Sequence, residues 1–150
     1  MSSTMATGHV ATHSDHTHAT DALRRTVLIA GRVSFGLIFL MSGWTHFLPG
    51  TIQYAASTGL PFAGFLVPAS GVLAALGALS LITGWHARIG AWMIVAFLVP
   101  VTLTMHAFWN VTDPNMHAMQ MAMFMKNVSM FGAALVFTQL GVGAGRPLRR

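Results

Sequence analysis

Four apolar stretches, 24–47, 62–84, 87–109 and 119–141, fill most of this 150-residue chain, and each is long enough to cross a membrane. A bilayer core of about 30 Å takes roughly 20 apolar residues of helix. Only 7% of the residues are charged, against about 25% in a soluble domain. The expected fold is therefore all-α, a four-helix transmembrane bundle within residues 23–145. Residues 1–22 are polar, without a periodic apolar face, and read as a disordered His-rich tail. Residues 146–150 form a basic C-terminal tail. The polar start also argues against a cleavable signal peptide, whose apolar core lies near the beginning.

Charge placement sets the expected orientation. Arg24, Arg25, Arg88, Arg146, Arg149 and Arg150 flank the stretches on one side, while the connections 48–61 and 110–118 contain no lysine or arginine. By the positive-inside rule both termini are cytoplasmic and the two bare connections face outward. The net charge of +5 is thus explained by lipid and gives no reason to expect a nucleic acid partner. Zero cysteines exclude disulfide relays, thiol nucleophiles and cysteine-held iron–sulfur clusters. Any redox role must then use a bound cofactor or a partner protein. Phosphate loops, paired carboxylates, nucleophile elbows and HExxH motifs are likewise missing.

Inside the apolar stretches stand two cations, Arg32 and Lys126, while the acids are Asp15, Asp21 and Asp113 alone. Ionised groups at membrane depth are costly and mark functional candidates. These two must find backbone carbonyls, headgroups, Asp113, or an electron-rich ligand. In the first span Arg32, Gly36, Phe39, Gly43 and His46 share one helical face, and its small residues point that face toward neighbouring helices. Gly71, Ala74, Ala75, Gly77 and Ala78 give the second span a similar packing surface. Arg88, Trp92, Val95, Val99, Thr102 and His106 form a stripe on the third, with Pro100 as a potential kink.

The outer ends of the first, third and fourth spans bring His46, His106 and Lys126 together, with Asn127, Gln120, Trp109 and, from the outer connection, Tyr54 as further candidates. Aromatic residues plus a few convergent polar groups at a bundle mouth compose a small-ligand site. Imidazoles exchange protons near neutral pH, and an ammonium stabilises negative charge developing on oxygen. A quinone fits such groups: Lys126 and His106 contact it, His46 relays protons, and Asn127 and Trp109 hold the geometry. Arg32 is a structural cation. His9, His13, His16 and His18 are an alternative metal set, since imidazole suits zinc, copper or nickel. The methionine run Met116–Met125 invites Cu(I), but spacings of two and three distribute the thioethers around the helix rather than toward one point.

The segment from Arg32-Val-Ser-Phe-Gly-Leu-Ile-Phe-Leu-Met-Ser to Gly43, then His106-Ala-Phe-Trp109, Asp113–Pro114, and Phe124-Met-Lys-Asn127 followed by Gly132, resembles the DoxX family. The resemblance implies a four-helix protein of the bacterial plasma (inner) membrane associated with redox work. It implies a subunit that supports electron transfer, with a redox enzyme subunit as partner. Two positions depart from the family pattern. His46 stands where a lysine is common after the Ser-Gly of the first helix, and Ala74 where a glutamate is common in the second. Loss of that acid leaves other roles open: a non-catalytic scaffold recruiting a redox or detoxification partner, or a small-solute or metal permease formed by a homo-oligomer.

Overall fold

In the computed structural model, which describes residues 6–140 (side-chain surroundings for His18 and from Thr20 onward), five α-helices and one 3-10 turn account for the chain. They are α1 (Ala6–Thr45), α2 (Pro49–Ser57), α3 (Ala63–Thr83), α4 (Ala87–Met105), the turn Phe108–Asn110, and α5 (Pro114–Leu140). Four segments have the length and apolar character of a membrane span: Thr20–Thr45, Ala63–Thr83, Ala87–Asn110 and Pro114–Leu140. The four-helix membrane bundle expected from the sequence is the observed fold.

Three boundaries differ from expectation, each for a local reason. Helix α1 starts at Ala6 rather than near Arg24, so residues 6–22, expected as a disordered tail, continue it. No glycine or proline between His9 and Ala30 interrupts it. Helix α5 begins at Pro114 rather than near Met119. There the Asp113 carboxylate accepts a hydrogen bond from the Met116 N–H at 2.8 Å, and a proline on the first turn loses no helical bond. Finally, the connection between the first two spans is itself partly helical, with Pro49 on the first turn of α2.

Glycine sets how closely the helices approach. Apolar burial gives little drive to association within lipid, so tight van der Waals packing over small residues takes its place. Gly43 of α1 and Gly71 of α3 meet backbone to backbone: a β-carbon on Gly43 would lie 2.9 Å from the Gly71 carbonyl oxygen. On the other side of α3, a β-carbon on Gly90 of α4 would lie 2.7 Å from the Gly77 carbonyl oxygen. Helix α3 thus clamps both α1 and α4, and the fully buried Ala74, Ala78, Ala91 and Ile94 fill the seams. The expected inward face of α1 is confirmed: Arg32, Gly36, Phe39 and Gly43 are all buried. The α4 stripe is only partly inward. Thr102 is buried and His106 half-buried, whereas Trp92 and Val99 are exposed toward lipid.

Helix α5 packs along α4, and it reaches α1 through rings: Phe35 and Phe137 lie 5.1 Å apart, centroid to centroid. Phe39 bridges from Phe35 (5.1 Å) to Phe97 (6.1 Å). At the opposite end of the bundle from α2, Arg32 is buried with its guanidinium against Gly84. A β-carbon on Gly84 would sit 2.8 Å from Arg32 Nη1, and the glycine has φ +77°, a conformation that side-chain-bearing residues resist.

The glycine contacts make a paired prediction. Gly90→Ala should destabilise the bundle by about 1–3 kcal/mol through overpacking. Gly132→Ala, which meets nothing within 4 Å, should be neutral or stabilise by roughly 0.5–1 kcal/mol. Thermal unfolding in detergent distinguishes them; equal effects would remove the clamp.

Candidate functional site

Between the phenylalanine rings and the short helix α2 lies a cavity of about 430 Å³. It falls within the roughly 300–1,000 Å³ usual for small-molecule sites. Apolar walls come from Phe39, Val67, Phe97, Leu98 and Met130, and five of the polar residues expected from the sequence line it: His46, Tyr54, His106, Lys126 and Asn127. Each is delivered by a different piece of the fold. His46 follows the last turn of α1, Tyr54 comes from α2, and His106 caps α4. Lys126 and Asn127 are neighbours midway along α5.

Asn127 is the most telling of them. Its residue is only 4% exposed, it lines the cavity, and its amide, open to that cavity, makes no hydrogen bond to a described residue. Nearly all buried polar groups in folded proteins are matched. An amide that opens onto a cavity without a protein partner offers both a donor and an acceptor to something that fills it.

The two imidazoles are held in defined orientations. His46 Nδ1 lies 2.6 Å from the Ser42 carbonyl oxygen. A carbonyl only accepts, so Nδ1 carries the hydrogen and Nε2 of the neutral ring keeps its lone pair. His106 Nδ1 lies 2.8 Å from Gln120 Oε1, while Gln120 Nε2 donates to Tyr54 Oη at 3.1 Å. With the amide nitrogen committed to Tyr54, its oxygen is left to accept from His106 Nδ1–H. Gln120 therefore does not line the cavity but ties α2, the end of α4 and α5 into a roof over it.

Lys126 stands twelve residues beyond Pro114, about 18 Å along the helix at 1.5 Å per residue. That places its backbone deeper than a start near Met119 implies, while the side chain runs back toward the helix start. Its one polar contact among the described residues is Met123 Sδ at 3.5 Å. Asp113, the sole acid near that end of the bundle, caps α5 instead of pairing with it.

Trp109 does not join the site. Because α4 ends at Met105 rather than continuing to 109, Trp109 sits on the 3-10 turn, 53% exposed, edge-on to Phe108 and Phe124. His117 packs on Phe108 in the same cluster. The methionines at 116, 119, 121, 123 and 125 are exposed around α5, as their spacing suggests. His18 is exposed; the side chains of His9, His13 and His16 lie outside the described residues. Sequence reasoning missed Ser42 and Thr51, both cavity-lining hydroxyls. Ser42 falls one turn before His46 on the same face, a signal that was present but is shared by most serines in apolar helices.

Comparison with known proteins fits this architecture. The profile of the DoxX family matches residues 27–107, from α1 through the end of α4. The chain belongs to the DoxX family. It is 30% identical over 129 residues to the inner membrane protein YphA of Escherichia coli (strain K12), covering 82% of this chain and 89% of that protein. No solved structure matches. Ala74 of this DoxX protein is a fully buried methyl group in the α1–α3–α4 core. A glutamate there would need its own partner in a tightly packed seam.

The unmatched amide yields a stability prediction. Asn127→Leu should leave stability unchanged or raise it by up to about 1 kcal/mol, since the amide has no protein hydrogen bond to lose. Steric trapping or thermal unfolding in detergent reads this directly. A clear loss of stability would show that the amide is matched in the native bundle.

Proposed function

We propose that this DoxX protein is a redox-associated subunit of the bacterial inner membrane whose outer-end cavity binds a quinone-class molecule. The observation that carries the reading is the Asn127 amide, open to the cavity without a protein hydrogen-bond partner, beside the Lys126 ammonium in a carboxylate-free, largely apolar cavity. The cavity volume suits a single substituted ring, and the donor set suits carbonyl oxygens. An ammonium and an amide N–H donate to oxygen, and both gain strength where water is excluded.

When bound, a quinone supplies two-electron, two-proton carrier chemistry. The chain's own part is to position and to move protons. Asn127 and Lys126 hold the carbonyl oxygens and stabilise negative charge on them. His46 and His106, each fixed through Nδ1, present Nε2 as the atom that takes up or gives up a proton. Ser42, through its backbone carbonyl, and Gln120, through its side-chain oxygen, are positioning groups that orient the imidazoles. With no cysteine in the chain, electrons are exchanged with a redox partner protein.

Equilibrium titration of purified protein with a short-tailed benzoquinone tests the site. Wild type should bind saturably, and Asn127→Leu and Lys126→Ala should each weaken binding by about tenfold, the equivalent of one lost hydrogen bond of roughly 1.4 kcal/mol. Binding that is absent, or identical in all three proteins, would overturn the proposal. The four native tryptophans do not line the cavity, so a direct binding measurement is preferable to quenching of their fluorescence.

A further inference from the structure

The cavity wall between α1 and α5 is built unlike the others. The α1–α3, α3–α4 and α4–α5 seams bring backbones close together, but α1 and α5 meet through the Phe35–Phe137 ring contact. Along α1, Phe35, Ile38, Ser42 and His46 follow one another on a single face. Along α5, Phe137, Met130 and Lys126 do the same. Beyond the ring contact, these two stripes carry cavity-lining residues rather than residues packed on each other. Ile38 is 41% exposed although it lines the cavity, and Lys126 is exposed too. Leu66, Pro100 and Thr104 also line the cavity and are exposed, but they lie on α3 and α4, whose backbones pack together. The hydrogen-bonded chain Tyr54–Gln120–His106 spans the outer end, and the Phe35, Phe39, Phe97 and Phe137 rings fill the inner end.

We infer that the gap between Ile38 of α1 and Lys126–Met130 of α5 is a lateral window onto the bilayer, through which a tailed, membrane-dissolved ligand reaches the cavity. The inference rests on the ligand site proposed above and names its substrate class: a polar ring bearing a long apolar tail. The ring lies inward against Asn127, and the tail leaves between Ile38 and Met130 into lipid. Lys126 stands at the sill. An ammonium at that depth gains most from an oxygen acceptor that comes in from the lipid side. The hydrogen-bonded roof keeps bulk water from the ring while the apolar tail remains in its own solvent.

The cysteine-free chain allows a direct test with a single thiol. Ile38→Cys protein in nanodiscs is labelled with a membrane-soluble maleimide, alone or with one of two ligands. These are a tail-less benzoquinone and the same ring with a long isoprenoid tail. Titration of the same discs establishes that each ligand binds. Val136→Cys, on an exposed position of α5 away from the cavity, controls for changes in the bilayer itself. The expected result is several-fold slower labelling of residue 38 with the tailed ligand only, and no change at residue 136. If the tailed ligand binds but leaves labelling of residue 38 unchanged, the window is overturned while the ligand site stands. Equal protection by the tail-less ring would place the ring, not the tail, at Ile38 and would also overturn it. If neither ligand binds, the underlying site fails and the window fails with it.

Discussion

Backbone-to-backbone contact at glycine is the constraint from which the rest of this structure follows. Within lipid, helices gain little by hiding apolar side chains from one another, so the bundle is held where small residues let main chains touch. Gly43 against Gly71 and Gly77 against Gly90 place such contacts on both sides of α3. Helix α5 has no equivalent partner on α1, and its Gly132 meets nothing within 4 Å. It is held on α4 and by a ring contact at Phe137. Three helices are therefore drawn tight and the fourth stands off at one end. The cavity is the space that this asymmetry leaves.

The polar groups facing that space are distributed by the same logic. His46 reaches it because Gly71 permits α1 to lie close: a β-carbon there would meet the His46 β-carbon at 2.6 Å. His106 reaches it because α4 stops at Met105 and its final residue turns toward Gln120. Asn127 and Lys126 are consecutive, so one faces the interior while the other stands at its edge. The cavity-lining residues include no carboxylate, so the local field favours an electron-rich guest. Asn127 presents its amide to that space without committing it to a protein hydrogen bond.

Much of this was legible in the residues themselves. Span length and the Arg32–Gly36–Phe39–Gly43 stripe specified the helices and the inward face of α1, because period and small-residue placement are local properties. His46, His106, Tyr54, Lys126 and Asn127 were found for a similar reason: polar groups in apolar helices are few enough to count. Other features depended on details that pattern cannot carry. Trp109 falls outside the cavity because α4 ends at Met105 and the chain continues in a 3-10 turn, a boundary that the apolar run to residue 109 does not mark. The early start of α5 rests on an Asp113 cap, and its consequence was a deeper Lys126. Gln120 was recognised as a neighbour, but its part as a tie between Tyr54 and His106 emerges only once three elements meet. The standoff between α1 and α5 left no trace in either helix taken alone.

Whether the Asn127-lined space holds a native guest can be decided by mass spectrometry of protein extracted gently from its own membranes. Wild type should carry a small apolar molecule of quinone mass, and the Asn127→Leu protein, equally well folded, should emerge without it. A bare wild type, or the same molecule retained equally by both proteins, would contradict the account.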